Sequence, residues 1–212
     1  MIIAIDGPAA SGKGTLSRKI ALRYGLARLD TGMLYRAVAR DLMKAGQPLE
    51  DAAAAERAAR AIDPASLDDQ ALRARHMGEA ASVVAQFPAV RQALFDMQRT
   101  FASERAGAVV EGRDIGTVIF PDADVKLFIT ADLRERARRR HLELLARGEV
   151  TTEDAVYADL EKRDIRDRSR AVSPMRMAED AYLLDTTKLD IEAAFFAAVR
   201  LIDAAIGRSA QT

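Results

Sequence analysis

The feature that most constrains this chain is a glycine-rich turn that directly follows a short apolar run near the N-terminus. Residues 2–5, Ile-Ile-Ala-Ile, form a largely β-branched run that predicts a parallel strand buried on both faces. Gly7, Gly12 and Lys13 then satisfy the spacing G-x-x-x-x-G-K, and a helical pattern follows over 13–24. A strand, a glycine turn and a helix in this order predict a loop whose backbone N–H groups point at phosphate oxygens, with Lys13 reaching the outer phosphates.

The loop departs from the usual motif at Gly14, which stands where a serine or threonine is ordinarily found. A hydroxyl at that place would bind Mg²⁺, whereas here the hydroxyl comes one residue later, at Thr15. We therefore expect a Mg²⁺ cofactor that depends more on water and on nucleotide oxygens. The ending Gly-Lys-Gly-Thr is more typical of nucleoside monophosphate kinases than of GTPases or motor ATPases. The residues predicted to bind ATP are Gly7, Pro8, Ala9, Ala10, Ser11, Gly12, Lys13, Gly14 and Thr15.

Further apolar runs and helical patterns alternate along the chain. The runs predict strands at 27–29, 108–114, 124–130 and 181–185. Helical patterns lie at 32–46, 51–61, on both sides of Phe87-Pro88, and at 132–147, 151–170 and 190–207, with a loop at 63–69. Short apolar strands separated by helices predict a five-stranded parallel sheet in a three-layer α/β/α fold.

Several helices carry explicit end or face signals. Asp132 with Glu135, and Thr151 with Asp154, have the spacing of N-terminal capping pairs. Apolar residues at helical spacing predict the buried faces of the helices at 32–46 and 190–207. These predicted core residues are Leu34, Val38 and Leu42 in the first and Ile191, Phe195, Val199 and Ile202 in the second.

The composition limits the classes of function. Lysine plus arginine equals aspartate plus glutamate at 32 each, so no global charge draws the chain to nucleic acid or to a membrane surface. The chain has no cysteine, which excludes disulfides, thiol nucleophiles and thiolate zinc sites. His76 and His141 lack metal-ligand spacing, so we expect surface histidines and no protein-bound metal. The start of the sequence has no basic leader, and we expect a cytoplasmic monomer.

Six sequence blocks together resemble bacterial cytidylate kinases over nearly the whole chain. The blocks occur in the order and spacing of that family: DGPAASGKGT, LDTGMLYR, FPAVRQAL, EGRDIGTVIFPDADVKLF, KRDIRDRSRAVSP and LLDTT. The resemblance implies a P-loop kinase that transfers the γ-phosphoryl group of ATP to CMP or dCMP in pyrimidine metabolism. It also implies one domain with a core at about 1–45, 106–148 and 171–212, an acceptor-binding insertion at about 46–105 and a mobile arginine-rich lid at about 149–170.

The resemblance assigns a role to each candidate residue of the acceptor site. Ser82, Arg91 and Asp114 would contact the cytosine, and a carboxylate that accepts from the exocyclic amine would select cytosine over uracil. The predicted α-phosphate ligands are Arg36 and Arg113, the predicted ribose contacts are Thr31 and Asp167, and the predicted lid cations are Arg163 and Arg170, with Arg166 or Arg168. Lys13, Arg36, Arg113, Arg163 and Arg170 would be the catalytic residues. No general base is needed, because a phosphate acceptor is already a nucleophile.

Three alternatives stay open at the level of sequence. The chain could be a P-loop kinase acting on thymidylate, adenylate or shikimate, or a P-loop ATPase or GTPase switch, although the guanine-reading N-K-x-D is absent. The charged stretch at 151–170 could be a solvated surface helix rather than a lid.

The arginines at 134–141 are interspersed with glutamate, so we expect a solvated face, with Arg136 or Arg140 near the ATP base. Many cytidylate kinases carry a β-rich acceptor insertion, whereas residues 47–78 here are alanine-rich and predicted helical.

Overall fold

The computed structural model describes residues 1–63, 67 and 70–207, and its centre is a single parallel sheet. The strands are β1 (Ile2–Asp6), β2 (Ala27–Asp30), β3 (Ala108–Gly112), β4 (Val125–Thr130) and β5 (Tyr182–Asp185). They lie in the order β2-β3-β1-β4-β5, and each neighbouring pair is parallel. The five predicted strands and the predicted α/β class are confirmed.

Helices connect the strands and cover both faces of the sheet. They are α1 (Lys13–Tyr24), α2 (Thr31–Lys44), α3 (Ala52–Arg60), α4 (Arg75–Val84), α5 (Pro88–Ser103), α6 (Leu133–Ala146), α7 (Glu153–Ser169) and α8 (Ile191–Ala205). A 3₁₀ turn spans Gln70–Arg73 and a single π-helical turn spans Ile115–Ile119. The loop predicted at 63–69 lies mostly outside the described residues. Within the described ranges, no helix combines the length and apolar character that a membrane crossing requires.

Side chains of β1 alternate between two apolar layers. Ile3 and Ile5 are fully buried on one face with residues of α1 and α8, including Ile20 and Ile202. Ala4 packs on the opposite face, in the cluster that includes residues of α5. A strand buried on both sides explains why the sequence at 2–5 is apolar without interruption.

The region between β2 and β3 has a separate apolar core made by helices. Leu34, Val38 and Leu42 of α2 are buried as predicted, and they belong to the same cluster as apolar residues of α3, α4 and α5. Residues 46–105, as far as they are described, contain helices and the 3₁₀ turn but no strand. The expected helical character of the acceptor region is confirmed.

Three local predictions are wrong in detail. Helix α7 is capped by Thr152 rather than Thr151, because the Thr152 hydroxyl is the group that accepts from the Ala155 N–H. Asp132 caps α6 as predicted, but the Glu135 carboxylate pairs with Arg138 and Arg139 instead of returning to the cap.

The third correction concerns the buried face of α8. Ile202 is fully buried as predicted, but Ala194 and Ala198 provide the rest of the buried face, and Ile191 is 55% exposed. Alanines let the helix axis approach the sheet closely, so the small residues rather than the larger ones form the contact. Phe195 and Val199 are half-buried at its margin.

Candidate active site

The glycine-rich loop joins β1 to α1 at the carboxyl edge of the sheet. Gly7 has φ 142° and Gly12 has φ 94°, values that disfavour residues with a side chain. A Cβ at Gly7 would lie 2.0 Å from the Ile129 carbonyl oxygen, so the loop passes directly against β4. Ala10 also has a positive φ, 60°. Strained backbone of this kind is typical of ligand-binding turns.

Lys13 begins α1 and lies inside the loop. Its Nζ donates to the Pro8 carbonyl oxygen at 2.6 Å and lies 3.5 Å from Ser11 Oγ. Burial, and then the positive charge of Arg113, hold the pKa of Lys13 well below its usual value. A phosphate anion placed beside this ammonium group would offset both effects.

A cleft of about 1010 Å³ opens from this loop along the carboxyl edge of the sheet. Helices α2, α4, α6 and α7 form its other walls. The cleft extends past the loop to all of the acceptor candidates. The predicted residues that line it are Ala9, Ala10, Ser11, Gly12, Lys13, Gly14, Thr15, Thr31, Arg36, Ser82, Arg91, Arg113, Asp114, Arg163, Asp167 and Arg170.

Two predicted loop residues, Gly7 and Pro8, do not line the cleft. Gly7 is required by its contact with β4, and the Pro8 carbonyl anchors Lys13. Both therefore shape the loop from behind rather than facing the cleft.

Three arginines from distant parts of the chain meet in the cleft. Arg36 comes from α2, Arg113 follows β3 and Arg163 comes from α7. A Cβ built on Gly78 of α4 would lie 2.9 Å from Arg163 Nη1 and 3.9 Å from Arg36 Nη2, so these two guanidinium groups converge above a residue without a side chain. The glycine leaves room for the arginines to approach each other.

The positive charges of this cluster are only partly compensated. Burial, together with Arg140 and Arg113, lowers the pKa of Arg36 to about 10. Burial, together with Arg113 and Arg36, lowers the pKa of Arg163 to about 9. Asp167 is one of the carboxylates that compensate this charge, and it lies 3.0 Å from Arg113 Nε and 3.8 Å from Arg163 Nε. A group of crowded, buried guanidinium ions is a site for a phosphate or another dianion.

Asp114 forms a second, neighbouring cluster with two other arginines. Arg91 Nη2 donates to Asp114 Oδ2, and Arg170 Nη2 lies 3.4 Å from Asp114 Oδ1. All three residues are buried, and the Arg91 guanidinium also lies 5.6 Å from the centre of the Tyr35 ring. A carboxylate held at the wall of the cleft in this way can accept a hydrogen bond from a ligand amine.

Ser82, Thr31 and Asp167 lie in the cleft with defined partners. The Ser82 hydroxyl donates to Asp167 Oδ1 at 2.8 Å, and Thr31 Oγ1 donates to the Glu111 carbonyl oxygen at 2.8 Å. Burial opposes the charge of Asp167, but Arg113 and Arg163 outweigh it and hold its pKa below the usual value. Ser82, predicted beside the base, is thus bonded to the residue predicted beside the ribose.

Helix α7, the predicted lid, rests on α4 and contributes residues to one wall of the cleft. Arg166 Nη2 lies 2.6 Å from Glu79 of α4, and Arg75 of α4 lies 2.7 Å from Asp159 of α7. Arg166 therefore faces α4, and Arg168 is exposed to solvent. Of the four arginines predicted for the lid, Arg163 and Arg170 line the cleft and the other two do not.

The arginines at 134–141 were expected on a solvated face, with Arg136 or Arg140 near the ATP base, and sequence reasoning missed that Arg136 is buried beneath the glycine-rich loop. Arg136 is only 3% exposed. It donates to the Ala9 carbonyl of the glycine-rich loop at 3.1 Å and to Asp164 of α7 at 2.6 Å. Residues 134–141 contain several arginines, and no local signal in the sequence distinguishes the one buried arginine from the exposed ones. Arg140 lines the cleft and donates to the Arg73 carbonyl oxygen at 3.2 Å.

A carboxylate below the loop was also missed. Glu111 of β3 is buried, accepts from Ser17 Oγ at 2.7 Å and pairs with Arg28. Burial, and then the charge of Asp30, raise the pKa of Glu111. A Cβ on Gly14 would lie 3.8 Å from Glu111 Oε2, so this carboxylate borders the position where the usual motif has a hydroxyl.

Among the described residues, no group of three or more histidine, cysteine or acidic side chains is arranged to hold a metal ion. His76 is exposed and His141 is half-buried.

Comparison with known proteins gives a consistent result over nearly the full chain. The family model for cytidylate kinase matches residues 3–203. The cytidylate kinase of Methylocella silvestris is 58% identical over 97% of this chain and 95% of that protein, and the cytidylate kinase of Rhizobium meliloti is 56% identical over 97% of both. A solved structure of an uncharacterized protein from Eubacterium ventriosum, 17% identical, has a TM-score of 0.57 and covers 96% of this chain and 99% of its own. That structure supports the fold alone.

Proposed function

This chain belongs to the cytidylate kinase family, and we propose that its cleft holds ATP and CMP end to end for in-line transfer of the γ-phosphoryl group. Family membership makes the chain an ATP-dependent kinase of CMP and dCMP. The observation that supports the residue assignments is the convergence on one cleft of a glycine-rich loop and of arginines from α2, from the end of β3 and from α7.

We place ATP on the glycine-rich loop. The loop amides and the N-terminus of α1 provide hydrogen-bond donors and a positive dipole end for the phosphates. Lys13 lies within this loop, and an anion beside it would relieve the cost of burying its charge. We propose that Lys13 and the backbone N–H groups of residues 9–15 hold the β- and γ-phosphates.

We place the α-phosphate of CMP between Arg36 and Arg113, with Arg163 completing the cage from the lid. The mutual repulsion of these groups is the reason that a dianion fits there, since each arginine regains its usual preference for the charged form when phosphate binds. The same guanidinium groups stabilise the charge on the transferring phosphoryl group. Alignment and charge stabilisation are what this reaction requires, so no general base is assigned.

We place the cytosine against Asp114 and Arg91. The carboxylate accepts from the exocyclic amine of cytosine, whereas uracil would present a carbonyl and leave two acceptors facing each other. Arg170 supports Asp114 from the lid end, and Ser82 lies beside the base through its bond to Asp167. Thr31 and Asp167 are the ribose contacts in this arrangement.

A magnesium ion carried by the nucleotide fits the residues present. Gly14 provides no hydroxyl, but Mg²⁺ binds readily through nucleotide oxygens, water and one or two carboxylates. Glu111, which borders Gly14, and Asp30, which lines the cleft, are the carboxylates that would hold it. When bound, the ion neutralises charge on the phosphate oxygens. The protein groups named above orient both nucleotides and, with α7 closed, exclude water that would hydrolyse ATP.

All of these residues belong to one chain, so we propose that a cytoplasmic monomer is sufficient. Neither nucleic acid nor a membrane is a partner in this proposal.

The acceptor assignment is tested by comparing phosphoryl transfer from ATP to CMP, dCMP, UMP and AMP. We expect CMP and dCMP to be used with the highest kcat/KM. Arg36→Met should lower kcat/KM for CMP by about 10- to 100-fold, through loss of charge-assisted hydrogen bonds, with little change in the KM for ATP. Arg57→Met, which removes an exposed arginine of α3, is the matched control and should behave as wild type. ATP turnover that does not require a monophosphate would contradict the proposal.

A further inference from the structure

Asp6 is a buried carboxylate that the phosphoryl-transfer scheme does not use. It is the last residue of β1, it is 5% exposed, and the glycine-rich loop begins at the next residue. Its backbone is fixed on both sides, because Asp6 is in register with Gly112 of β3 and with Phe128 of β4. The position of the carboxylate is therefore set by the centre of the sheet.

The Asp6 carboxylate accepts two backbone hydrogen bonds from the π-helical turn that follows β3. Oδ1 accepts from the Ile115 N–H at 2.8 Å and Oδ2 accepts from the Gly116 N–H at 2.7 Å. These are the first two N–H groups of the π-helical turn, and N–H groups at the start of a helical turn have no partner inside it. Asp6 thus caps this turn from a different element.

The capped turn determines where Asp114 lies. Asp114 directly precedes the turn, and its carbonyl oxygen accepts from the Val118 N–H at 2.9 Å. The peptide unit between Asp114 and Ile115 is consequently held at both ends, by Asp6 at its N–H and by the turn at its carbonyl. From this fixed backbone the Asp114 side chain reaches Arg91 in the cleft.

The packing around the turn leaves little freedom for adjustment. A Cβ on Gly116 would lie 3.1 Å from Lys126 Cδ and 3.5 Å from Asp6 Oδ2. Lys126 is itself held by the Pro121 carbonyl oxygen and by Asp180. Because closely packed interiors transmit strain, we expect the loss of a cap at this turn to shift Asp114 as well.

We propose that Asp6 is a positioning residue for recognition of the acceptor base, because its carboxylate fixes the turn that directs Asp114 into the cleft. This inference rests on the proposed function, in which Asp114 contacts cytosine. It implies that the strand leading into the ATP loop also sets the choice of acceptor.

The ionisation of Asp6 provides an independent readout. Burial, with a smaller contribution from the charge of Asp114, raises the pKa of Asp6 to about 6, against the opposing effects of the Gly116 and Ile115 N–H groups and of Lys13 of α1. The stem of Lys126 of β4 packs against the same turn, while its ammonium group is bonded to Asp180. A protonated carboxyl group has an O–H where the ionised group accepts, so one of the two turn N–H groups loses its acceptor. The preference for CMP over UMP should therefore weaken as the pH falls through this range.

The test uses Asp6→Asn and measures kcat/KM for CMP and for UMP together with the KM for ATP. The amide keeps one acceptor and presents an N–H₂ group to the second turn N–H, so we expect the CMP/UMP ratio to fall by about 10-fold, the scale of a catalytic group slightly misplaced. The KM for ATP should not change. Asp124→Asn is the matched control, because Asp124 also accepts from a backbone N–H, that of Ile2, but at the opposite end of β1.

Asp114→Asn, measured in parallel, distinguishes failure of the role proposed for Asp6 from failure of the proposed base contact of Asp114. A wild-type CMP/UMP ratio in Asp6→Asn with a lowered ratio in Asp114→Asn overturns the role of Asp6 and leaves the proposed function in place. A wild-type ratio in Asp114→Asn overturns the assignment of the base contact itself.

If Asp6→Asn does not fold, the wild-type protein decides the question. Its CMP/UMP ratio is measured from about pH 7.5 to about pH 5.5, and both nucleotides carry the same phosphate, so titration of the substrate phosphate cancels. A decline toward low pH supports the inference, and a constant ratio overturns it.

Discussion

Replacing Asp114 by asparagine is expected to remove much of the preference for cytosine over uracil. In the proposed complex the carboxylate accepts from the exocyclic amine of CMP, and hydrogen bonds to a charged group contribute about 1.5–3 kcal/mol. At 1.36 kcal/mol per factor of ten, this corresponds to a loss of about 10- to 150-fold in kcat/KM for CMP. UMP should lose nothing and can gain, because the asparagine amide donates to a carbonyl.

The same substitution should lower the free energy of unfolding, by an amount that follows from the burial of the Arg91–Asp114 pair. The side chains of Arg91 and Asp114 are 6% and 7% exposed, so the substitution removes one charge of a buried pair. Removing one partner of such a pair costs about 3–5 kcal/mol. Asparagine retains one acceptor for Arg91, so we expect the lower end, a decrease in Tm of about 6–12 °C for a chain of this size.

Steady-state kinetics with CMP, UMP and ATP, and thermal unfolding of the same preparations, measure both effects. Asp122→Asn is the control, because Asp122 is an exposed carboxylate outside the cleft. Equal losses of CMP use and ATP affinity, with an unchanged CMP/UMP ratio, would refute the assignment of Asp114 to the base.

Three further outcomes follow from the loop, the lid and the sheet. Gly7→Ala should prevent correct folding, because its Cβ would lie 2.0 Å from a β4 carbonyl oxygen, whereas Gly14→Ala, with no atom nearer than 3.7 Å, should fold normally by circular dichroism. Arg136→Met and Asp164→Asn should each destabilise the chain by about 3–5 kcal/mol in urea unfolding, and the double variant should lose less than the sum, since neither buried charge is left alone. The pKa of Asp6 is about 6 in the folded chain, and its usual value is 3.8. The protonated carboxyl group therefore makes its full contribution to the free energy of unfolding below pH 3.8, and that contribution is lost as the pH rises to about 6. Asp6→Asn should lack this decline in the free energy of unfolding.

The elements whose signals are local could be predicted from the sequence almost to the residue. The loop motif predicted a helix over 13–24, and α1 spans Lys13–Tyr24. The strand predicted at 2–5 and the buried face of α2 that includes Leu34 were likewise correct. A strand buried on both sides is apolar without interruption, and a helix buried on one side has apolar residues at helical spacing. The order of strands in the sheet has no such signal.

The contacts of individual charged residues could not be predicted in the same way. Arg136 and Arg138 lie two positions apart in one charged stretch. Arg136 is buried and forms an ion pair with Asp164, whereas Arg138 is exposed and forms an ion pair with Glu135. The difference depends on how α7 packs on α6, which is a tertiary property. Ser82 is similar: its place in the cleft was anticipated, but its bond to Asp167 depends on α7 resting on α4.

The crowding of Arg36, Arg113 and Arg163 has a practical consequence for anyone who handles the protein. If these groups hold the acceptor phosphate as proposed, they should also bind small inorganic dianions, so we expect sulfate or phosphate in a buffer to compete with the acceptor and to raise the melting temperature. We therefore expect acceptor affinity to be underestimated in such buffers, and a chloride or acetate buffer is the appropriate choice.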